Sequence, residues 1–364
     1  MFVEKRCEMI KKILKYSLIT LATLLLIVIC YVLYVVIDYK RLDDNIDLDI
    51  YNNQQEIVQL NTNYTITTYN IGFGAYEDDY SFFMDGGKYS RAFSKERLIS
   101  NLKNIESFLK QQNSDFYLIQ EVDEQGTRSY KINQKEMLIN SLNNYSSTWA
   151  KNWDSSYLFY PFLSPHGKNK AGILTFSKFN MISSLRRSLP VENTVMKFFD
   201  LDRCYSVTRL KVSNEKELII YNVHLSAYTS DGKIAEEQLK LLLTDMQNEY
   251  LKGNYIVCGG DFNKDLSGNA EEYFGISGKE YTWAQPIPSS VFDNTNLSLI
   301  FAYDELLKTP SCRNADDVYN PNQFVLTVDG FIISDNVELI SSKVIDLRFE
   351  YSDHNPVEMI FKLK

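Results

Sequence analysis

The sequence predicts a mixed α/β domain that follows one membrane-spanning helix. Strand-like and helix-like segments alternate along most of its 364 residues, and such alternation is typical of α/β folds. Near the N-terminus, one run of 22 residues carries no charge and is long enough to cross a bilayer as a helix. The chain has only 15 Gly and 8 Pro, which excludes a long flexible or collagen-like segment.

The uncharged run extends from Tyr16 to Ile37. A helix rises about 1.5 Å per residue, so this run matches the roughly 30 Å of a bilayer core. Basic residues are concentrated before it, which predicts a cytoplasmic N-terminus, an extracellular C-terminal part and a single-pass location in the cell membrane. These basic residues are Lys5, Arg6, Lys11, Lys12 and Lys15.

Two other interpretations of the run fit its sequence less well. A cleavable signal peptide has an apolar core of about 7 to 15 residues and a small-residue exit site, whereas this run is longer and ends in Val-Val-Ile-Asp-Tyr. A buried core helix without any charge would be unusual at the end of a chain. We therefore favour an uncleaved anchor. The predicted segments are a cytoplasmic part (1–15), the anchor (16–37), a linker (38–61) and a folded domain (62–364).

The charge of the folded part is more acidic than that of the whole chain. Residues 1–44 carry seven Lys or Arg and five Asp or Glu, so the rest of the chain has a net charge of -11 instead of -9. This acidity argues against non-specific electrostatic binding to nucleic acid. Only three of the five cysteines follow the anchor, and no C-x-x-C spacing occurs. Neither a disulfide framework nor a thiolate zinc site is therefore indicated.

The elements of the folded part can be predicted in order. Tyr64 to Asn70 is rich in β-forming residues, and Ser94 is a suitable N-cap for a helix with apolar residues at helical spacing. Phe116 to Gln120 has the pattern of a short buried strand. The later predictions are strands near 171–177, 204–212, 217–223 and 254–259, a helix over about 233–250, and closing strands near 323–334, 337–345 and 356–362.

Polar residues stand at the ends of several predicted strands. Asn70 ends the first strand, Glu121 ends the second, and His224 ends the strand near 217–223. Asp261 and Asn263 follow the apolar run Tyr-Ile-Val-Cys-Gly-Gly. Each residue alone could be a turn former or a cap. Strand ends are nevertheless where α/β sheets place their active groups, so we treat the set as a candidate site.

Two further residues extend this set. Asp329 lies within an apolar strand pattern, where a buried acid needs a partner. His354 lies just before the last strand, and with His224 it is one of only three histidines in the chain. The third, His166, is in a Pro/Gly loop and is expected to be solvent-exposed.

Six short motifs in order resemble those of the endonuclease/exonuclease/phosphatase superfamily, which includes DNase I-like nucleases, apurinic endonucleases, neutral sphingomyelinases and inositol polyphosphate 5-phosphatases. The resemblance covers about residue 62 to the C-terminus. It implies a four-layer α/β/β/α sandwich of two mixed β-sheets flanked by helices. The motifs are Tyr69-Asn70-Ile71, Gln120-Glu121-Val122, Asn222-Val223-His224-Leu225, Gly260-Asp261-Phe262-Asn263, Val328-Asp329-Gly330-Phe331 and Ser352-Asp353-His354-Asn355-Pro356-Val357. A further match is the segment 169–174, followed by Ser177.

The resemblance also implies a divalent cation, Mg²⁺ or Mn²⁺, as cofactor. Hard cations prefer oxygen ligands, and hydrolysis of a phosphate ester builds negative charge that a cation offsets. By resemblance, Glu121 is the principal metal ligand, Asn70 is its neighbour, and Asp353 adds a metal or water contact.

The remaining roles concern water and substrate. By resemblance, Asp261 orients or deprotonates the attacking water, and Asn263 holds that water or a phosphate oxygen. His354 contacts the scissile phosphate and pairs with Asp329, while His224 donates to a phosphate oxygen or assists the leaving group. The assignment of base and acid among Asp261, His224 and His354 stays open. The expected substrate contacts are Asn222, His224, Asn263 and Lys170.

The predicted function is hydrolysis of a phosphate ester, with a phosphodiester such as a lipid head group favoured by the nearby anchor. An extracellular-facing nuclease of DNase I type is an alternative, and a non-catalytic surface-binding module is a second one. No obligate protein partner is indicated.

A set of basic residues and one aromatic loop are relevant to the choice of substrate. Basic residues after the anchor could line a nucleic-acid cleft or lie on solvated surface; these are Lys168, Lys170, Lys178, Arg186 and Arg187. The aromatic loop from Tyr76 to Arg91 could stack bases, cover the cleft or enter the membrane interface. We favour a fourth possibility, in which its aromatic residues pack onto the domain.

Overall fold

The computed structural model describes residues 2–198, 200–227, 233–277, 283–302 and 308–364. The chain forms two compact units, Met1–Arg41 and Leu42–Lys364. The first contains helix α1 (Phe2–Asp38), which is long and apolar enough from Glu4 onward to cross a membrane. The anchor that the sequence predicts lies within this helix.

The second unit is a mixed α/β domain. In chain order, its elements are β1 (Ile46–Asp47), β2 (Ile50–Tyr51), β3 (Asn63–Asn70), α2 (Lys95–Gln112), β4 (Phe116–Gly126), α3 (Gln134–Ser141), β5 (Ser146–Asp154), β6 (Asn169–Ser177), β7 (Met181–Ser188), β8 (Cys204–Lys211), β9 (Glu217–His224), α4 (Lys233–Leu251), β10 (Tyr255–Asp261), α5 (Ala270–Phe274), β11 (Leu297–Ile300), β12 (Cys312–Arg313), β13 (Val325–Leu326), β14 (Asp329–Ser334), β15 (Val337–Val344) and β16 (Val357–Leu363).

These strands form two seven-stranded sheets and a short ribbon. The first sheet has the order β1-β7-β8-β9-β10-β14-β11, and the second has the order β15-β16-β3-β4-β6-β5-β2. Strands β12 and β13 pair with each other. Both sheets are mixed, because β9 and β10 run parallel in the first and β3 and β4 run parallel in the second, among antiparallel neighbours.

The two sheets pack face to face around an apolar core. Phe116 and Leu118 of β4 belong to the same buried cluster as Ile220 of β9, Val257 of β10 and Phe331 of β14. Each fully buried side chain of this size contributes about 1.5 to 3 kcal/mol of hydrophobic free energy. The three largest clusters take all their side chains from residues 51–363, so the second unit has a core of its own.

Helices cover the outer faces of both sheets. Leu102 and Ile105 of α2 pack with Ile119 of the second sheet, and Leu242 of α4 packs with Ile256 of the first. The four-layer α/β/β/α sandwich is therefore confirmed.

Helix α2 begins where its sequence predicts an N-cap. The side chain of Ser94 accepts a hydrogen bond from the backbone N–H of Arg97 at 3.1 Å, as an N-cap does. The helix ends at Asn113, which has a left-handed φ of 50°. Its apolar stripe is thereby aligned with the outer face of the second sheet.

The ends of the parallel strands meet at one edge of the sandwich. In the first sheet, β9 ends at His224 beside Asp261 of β10. In the second, β3 ends at Asn70 beside Gln120 of β4. The amide of Asn70 donates a hydrogen bond to Asp261 at 3.0 Å, and this contact joins the two strand ends.

The prediction of a linker over 38–61 is wrong for most of that range. The short strands β1 and β2 pair with β7 and β5, and Val58 bridges to Val212. The backbone N–H of Leu42 already donates to Asp202 in the domain. Edge strands of two residues carry no clear alternation of polar and apolar residues, which is why this segment resembles a linker in sequence.

Three of the basic residues considered for a nucleic-acid cleft are tied to other parts of the domain. Arg186 is fully buried and donates to backbone carbonyl groups, including that of Lys151. Arg187 forms ion pairs with Asp44 and Asp245, and Lys178 pairs with Asp115. These side chains therefore serve the fold, which weakens the case for a basic cleft.

The aromatic loop from Tyr76 to Arg91 packs onto the domain. Tyr76, Tyr80 and Phe82 are buried and belong to the cluster under α2. The interpretation that we favour from the sequence is therefore confirmed for these rings.

The close packing at the strand ends makes a stability prediction possible at Gly260. This residue has a φ of +150°, and a Cβ atom there would lie 2.1 Å from the carbonyl oxygen of Val223. We expect Gly260→Ala to lower the free energy of unfolding by about 3 kcal/mol or more, measured by urea denaturation. Gly268 is a matched control, because its φ is +80° and a Cβ atom added there would meet no atom within 4 Å. Gly268→Ala should remove only about 1 to 2 kcal/mol, and equal losses at both positions would contradict the clash.

Candidate active site

Asp261 is at the centre of a buried group of polar side chains. Its Oδ1 accepts the backbone N–H of Asn263 at 2.8 Å, and its Oδ2 accepts the amide of Asn70 at 3.0 Å. The Nε2 atoms of His224 and His354 lie 3.5 and 3.8 Å from the same Oδ2. Five residues that the sequence singles out are thus gathered within one small region, together with Asp329 described below.

The ionisation of Asp261 is shifted towards neutral pH. Burial and the charge of Asp329 raise the pKa of this carboxyl, His354 and two hydrogen bonds oppose the rise, and the pKa is about 6 as a result. A carboxylate with a pKa in this range can accept a proton near neutral pH.

His354 is held by a chain of hydrogen bonds. Its Nδ1 lies 2.8 Å from Oδ2 of Asp329, and the hydroxyl of Ser311 donates to the same oxygen at 2.8 Å. Ser311 in turn accepts the backbone N–H groups of Val328 and Asp329. Because a carboxylate only accepts, the proton on Nδ1 points to Asp329 and Nε2 faces Asp261.

This pairing also sets the charge of His354. Burial alone would lower the pKa of the imidazole, but the negative charge of Asp329 and its hydrogen bond outweigh that effect, so the pKa lies well above its ordinary value. His354 therefore favours the imidazolium form at neutral pH.

His224 has the opposite character. Burial lowers the pKa of this imidazole well below its ordinary value, and the nearby cations Arg203, His354 and Arg128 lower it further. Among the described residues, its Nδ1 has no hydrogen-bond partner. A neutral histidine thus lies opposite a charged one, with Asp261 between them.

Glu121 reaches the site through a bulge in β4. The pairing of β4 with β6 shifts register between Ile119 and Val122, and Glu121 has a left-handed φ of 56°. Bulges change the direction of side chains, and left-handed backbone in a non-Gly residue is strained, which is common at functional sites. The carboxylate lies 3.4 Å from the amide of Asn70 and 4.0 Å from Arg128.

The donor set around Glu121 fits a hard divalent cation. Burial raises the pKa of Asp353 to about 7, and the charges of Glu121 and Asp85 add to that rise, while His354 and Arg313 oppose it. Carboxylates that repel one another in this way are stabilised by a cation with oxygen ligands. The side-chain oxygen of Asn70 accepts the backbone N–H of Gly72, and its amide nitrogen faces Glu121. Because the oxygen is the atom that would bind a cation, the role of Asn70 as a metal ligand remains a prediction.

A second group of side chains, two aspartates and a histidine, also has ligand-like spacing. One ligand atom each from Asp261, Asp329 and His354 lies within 4.8 Å of the others. In this group the Nδ1 of His354 already binds Asp329, and Asp329 also accepts from Ser311. These hydrogen bonds account for the closeness of the groups without a bound cation.

Arg128 and Arg203 are two residues that the sequence pattern does not identify. Arg128 donates to Asp123 at 2.8 Å and lies over the ring of Phe73. Arg203 donates to the carbonyl of Leu225, and among the described residues its Nε has no hydrogen-bond partner. Both arginines are buried and carry positive charge beside His224. The only sequence signal for either is a basic residue next to a strand end.

The predicted substrate contacts divide into two groups. Asn263 and His224 are at the site, where Asn263 donates to the carbonyl of Leu225. Asn222 is fully buried and bonded to Gln120 and to the opposite sheet, so this arrangement assigns it to the contact between sheets. Lys170 is half-buried near the start of β6, and no hydrogen bond or ion pair joins it to the Asp261 group within the described chain.

The expectation that His166 is solvent-exposed is wrong. Its side chain is buried, with its ring 5.6 Å from that of Trp153 and 5.7 Å from that of Phe83. Its Nδ1 lies 2.8 Å from the carbonyl oxygen of Ser90. Pro and Gly neighbours suggest a solvated loop, but the aromatic residues around this histidine bury it.

Comparison with known protein families places the chain among phosphoester-cleaving enzymes and nucleases. Residues 67–354 match the Endonuclease/Exonuclease/phosphatase family. The sequence matches no curated protein at a significant level.

Solved structures share the fold at low sequence identity. An endonuclease/exonuclease/phosphatase from Beutenbergia cavernae is 15% identical, with a TM-score of 0.56 over 83% of this chain and 72% of that one. ANGEL2, a 2',3'-cyclic phosphatase, is 16% identical, with a TM-score of 0.55 over 87% of this chain and 98% of that one. The human Nocturnin catalytic domain with bound sulfate is 17% identical, with a TM-score of 0.52 over 87% and 97%.

The burial of His166 predicts a pH dependence of stability. Burial lowers its pKa from 6.5 to about 3, so the unfolded chain binds a proton below pH 6.5 that the folded chain does not. The stability that His166 provides is present above pH 6.5 and is lost as the pH falls towards 3. Between pH 6.5 and 4.5, wild type should lose about 2 to 3 kcal/mol more than His166→Gln.

The measurement is urea denaturation of both proteins at several pH values. All carboxyl groups titrate alike in both proteins, so the difference between the two pH profiles isolates the histidine. Parallel profiles would contradict the assignment of a neutral, buried His166.

Proposed function

The chain belongs to the Endonuclease/Exonuclease/phosphatase family, and we propose that it is a membrane-anchored, divalent-metal-dependent phosphoesterase that hydrolyses a phosphate ester by attack of water. Among phosphate esters we favour a phosphodiester, including a lipid head group. The observation that carries this proposal is the position of the Asp261 carboxylate between a neutral and a charged histidine.

The side chains of this group suit the hydrolysis of a phosphate ester. Asp261 can hold a water molecule and accept its proton, because burial brings its pKa to about 6. The imidazolium of His354 can donate through Nε2 to a phosphate oxygen, since Asp329 keeps its Nδ1 occupied. The backbone N–H of Asn263 donates to Asp261, which places the Asn263 side chain beside that carboxylate, where it can bind the same water or an oxygen of the substrate.

A neutral histidine and a charged arginine provide a place for the phosphate. His224 and Arg203 each present a nitrogen without a hydrogen-bond partner in the described part of the chain. The N–H of Arg203 is stabilised when it binds an anion, as is Nδ1 of His224 when this nitrogen carries the ring proton, and hydrogen bonds to a charged group are worth about 1.5 to 3 kcal/mol each. We propose that these two residues bind phosphate oxygens.

Glu121 and Asp353 are the residues that we propose to hold Mg²⁺ or Mn²⁺, with Asn70 as an additional ligand. Bound there, the cation would offset negative charge on the phosphate and on the leaving oxygen. Arg128 donates to Asp123, and this contact holds its guanidinium 4.0 Å from Glu121. We propose that the guanidinium keeps the Glu121 carboxylate in position.

A lipid substrate fits the surroundings better than a nucleic acid. Arg186, Arg187 and Lys178 are engaged within the fold and do not form a basic cleft. The outer part of the chain is acidic, which does not favour non-specific binding of DNA. A membrane anchor would keep the domain close to lipid head groups. A nuclease stays the alternative proposal, and one fold relative, TDP2 from D. rerio, was solved with a single-strand DNA product.

Two substitutions test the proposed site. Glu121→Gln removes the charge that would bind the cation, and His354→Ala removes the imidazolium next to Asp261. Each should lower kcat/KM for a phosphodiester by about 100-fold or more. The assay uses residues 42–364 with Mg²⁺ or Mn²⁺ on sphingomyelin, phosphoinositides, plasmid DNA and simple phosphomonoesters. Glu124→Gln is the matched control, because Glu124 is in the same strand but pairs with Lys135, and its activity should be close to wild type.

Removal of the divalent cation by a chelator tests whether hydrolysis depends on the metal. Excess EDTA should abolish hydrolysis, and added Mg²⁺ or Mn²⁺ should restore it. Activity that persists in EDTA would remove the cation from the proposal. Wild-type rates in Glu121→Gln and His354→Ala would show that hydrolysis takes place elsewhere.

The proposed topology places the N-terminus in the cytoplasm and the catalytic domain outside the cell. It rests on the apolar helix α1 and on the basic residues at its start. Protease added to intact cells should therefore degrade the domain while an N-terminal epitope tag survives. A domain that becomes sensitive only after the membrane is permeabilised would reverse the orientation.

A further inference from the structure

Four apolar side chains form an exposed patch on the loop between β5 and β6. We call them the aromatic tip: Phe159, Tyr160, Phe162 and Leu163. Their exposed fractions are 50%, 63%, 81% and 103%, so Leu163 is as accessible as in an extended peptide. Single exposed apolar residues are ordinary on protein surfaces, but a contiguous group of large ones marks an interaction site.

The tip is held in a defined conformation by its base. Leu158 and Gly167 pair across the loop through two backbone hydrogen bonds. The side chains of Ser90 and Arg91 donate to the carbonyl groups of Ser164 and Pro165. These contacts fix both ends of the loop, so the apolar residues remain exposed although the loop is anchored.

Aromatic contacts attach the tip to the rest of the domain. The ring of Tyr160 lies 5.8 Å from that of Phe83, and the ring of Phe162 lies 6.0 Å from that of Tyr160. Phe83 in turn contacts the buried ring of His166. The tip is therefore the outer end of a stack of rings that begins inside the domain.

The charge of this segment differs from that of the domain around it. Residues 155–170 contain Lys168 and Lys170 and no acidic residue, whereas the chain after residue 44 has a net charge of -11. An apolar tip followed by two lysines complements a lipid surface, where apolar side chains enter the acyl region and basic ones meet the phosphate groups.

The base of the loop adjoins the candidate active site. The ring of Trp153 lies 5.6 Å from that of His166, and the guanidinium of Arg128 lies 4.9 Å from the centre of the Trp153 ring. Arg128 is 4.0 Å from Glu121. A surface that binds the tip would therefore be close to the group that we propose to hold the cation.

We propose that the aromatic tip inserts into a lipid bilayer and docks the domain on the membrane. Only residues 39–41 separate the end of α1 from the second unit, so three residues of extended chain, about 10 Å, would link Leu42 to a membrane-spanning α1. Tyrosine and phenylalanine are favoured at the membrane interface, and the aliphatic Leu163 suits acyl chains but has no ring for stacking on a nucleobase. The proposal rests on the anchor and is independent of the substrate that the site hydrolyses.

The first experiment measures vesicle binding without the anchor. Residues 42–364 have their own core, and they are mixed with vesicles of phosphatidylcholine alone or with phosphatidylserine. Wild type should co-float with both, and more strongly with the anionic vesicles. Leu163→Ser should lower the partition coefficient by about tenfold, and Phe162→Ser with Leu163→Ser by about 100-fold. Leu251→Ser is the matched control, since Leu251 is 70% exposed but ends α4, and it should bind as wild type.

The second experiment uses the full chain in nanodiscs. A tryptophan introduced by Phe162→Trp should be quenched by phospholipids brominated on their acyl chains, beyond the quenching seen in wild type. Leu251→Trp should show no such increase. Circular dichroism of each variant confirms that it folds, because all the substituted side chains are solvent-exposed in the domain.

Two outcomes would overturn the proposal. In the first, wild type and the double variant Phe162→Ser, Leu163→Ser bind vesicles equally well, and the tryptophan of Phe162→Trp shows no added quenching by the brominated lipids. The other is loss of binding to single-stranded DNA, but not to vesicles, in that double variant, which would assign the tip to nucleobases. Loss of hydrolysis by Glu121→Gln leaves both readouts unchanged, so failure of the proposed activity and failure of the docking surface are distinguishable.

Discussion

The hydrogen bond from Asn70 to Asp261 is the contact on which the site depends. Asn70 ends a strand of one sheet and Asp261 ends a strand of the other, so a single bond of 3.0 Å fixes the two sheets against each other at this edge. Every other group in the site is placed relative to this pair. Asp261 also receives the backbone of Asn263 and lies within 3.8 Å of both histidines, so a shift between the sheets would misplace them together.

A second polar link lies deeper in the same sandwich. Gln120 donates to Asn222 at 2.8 Å, and Asn222 donates to the carbonyl of Leu174 across the sheets. Buried polar groups that are fully bonded specify one arrangement of a core, since any other register would leave them without partners. The apolar cluster around Phe116 and Phe331 holds the two sheets together by non-directional hydrophobic contacts. The directional hydrogen bonds of Gln120 and Asn222 fix how the two sheets align. The precision of the active groups therefore originates one layer below them.

The sequence predicts the strands and the polar groups at their ends, because both follow from local patterns. A buried strand is a run of apolar residues, and a polar residue that follows it is easily seen. Glu121 lies at a bulge, and Arg128 and Arg203 reach the site from neighbouring segments, so these features depend on pairing between distant strands. The same reason explains the two wrong predictions. His166 is buried by rings from other segments, and residues 42–58 join sheets whose other strands lie far along the chain.

The buried charges of the site explain why its residues are so closely bound to one another. Asp261, Asp329 and Asp353 share a small volume with His354, Arg128 and Arg313, and an isolated charge there would be strongly destabilising. Opposite charges and hydrogen bonds oppose that desolvation, yet burial keeps the pKa values of Asp261 and Asp353 above their ordinary range. On the other side, Nδ1 of His224 and Nε of Arg203 have no hydrogen-bond partners in the described chain. Carboxylates at one end and unpartnered nitrogen atoms at the other are the physical basis for proposing that a metal ion and a phosphate group bind side by side here.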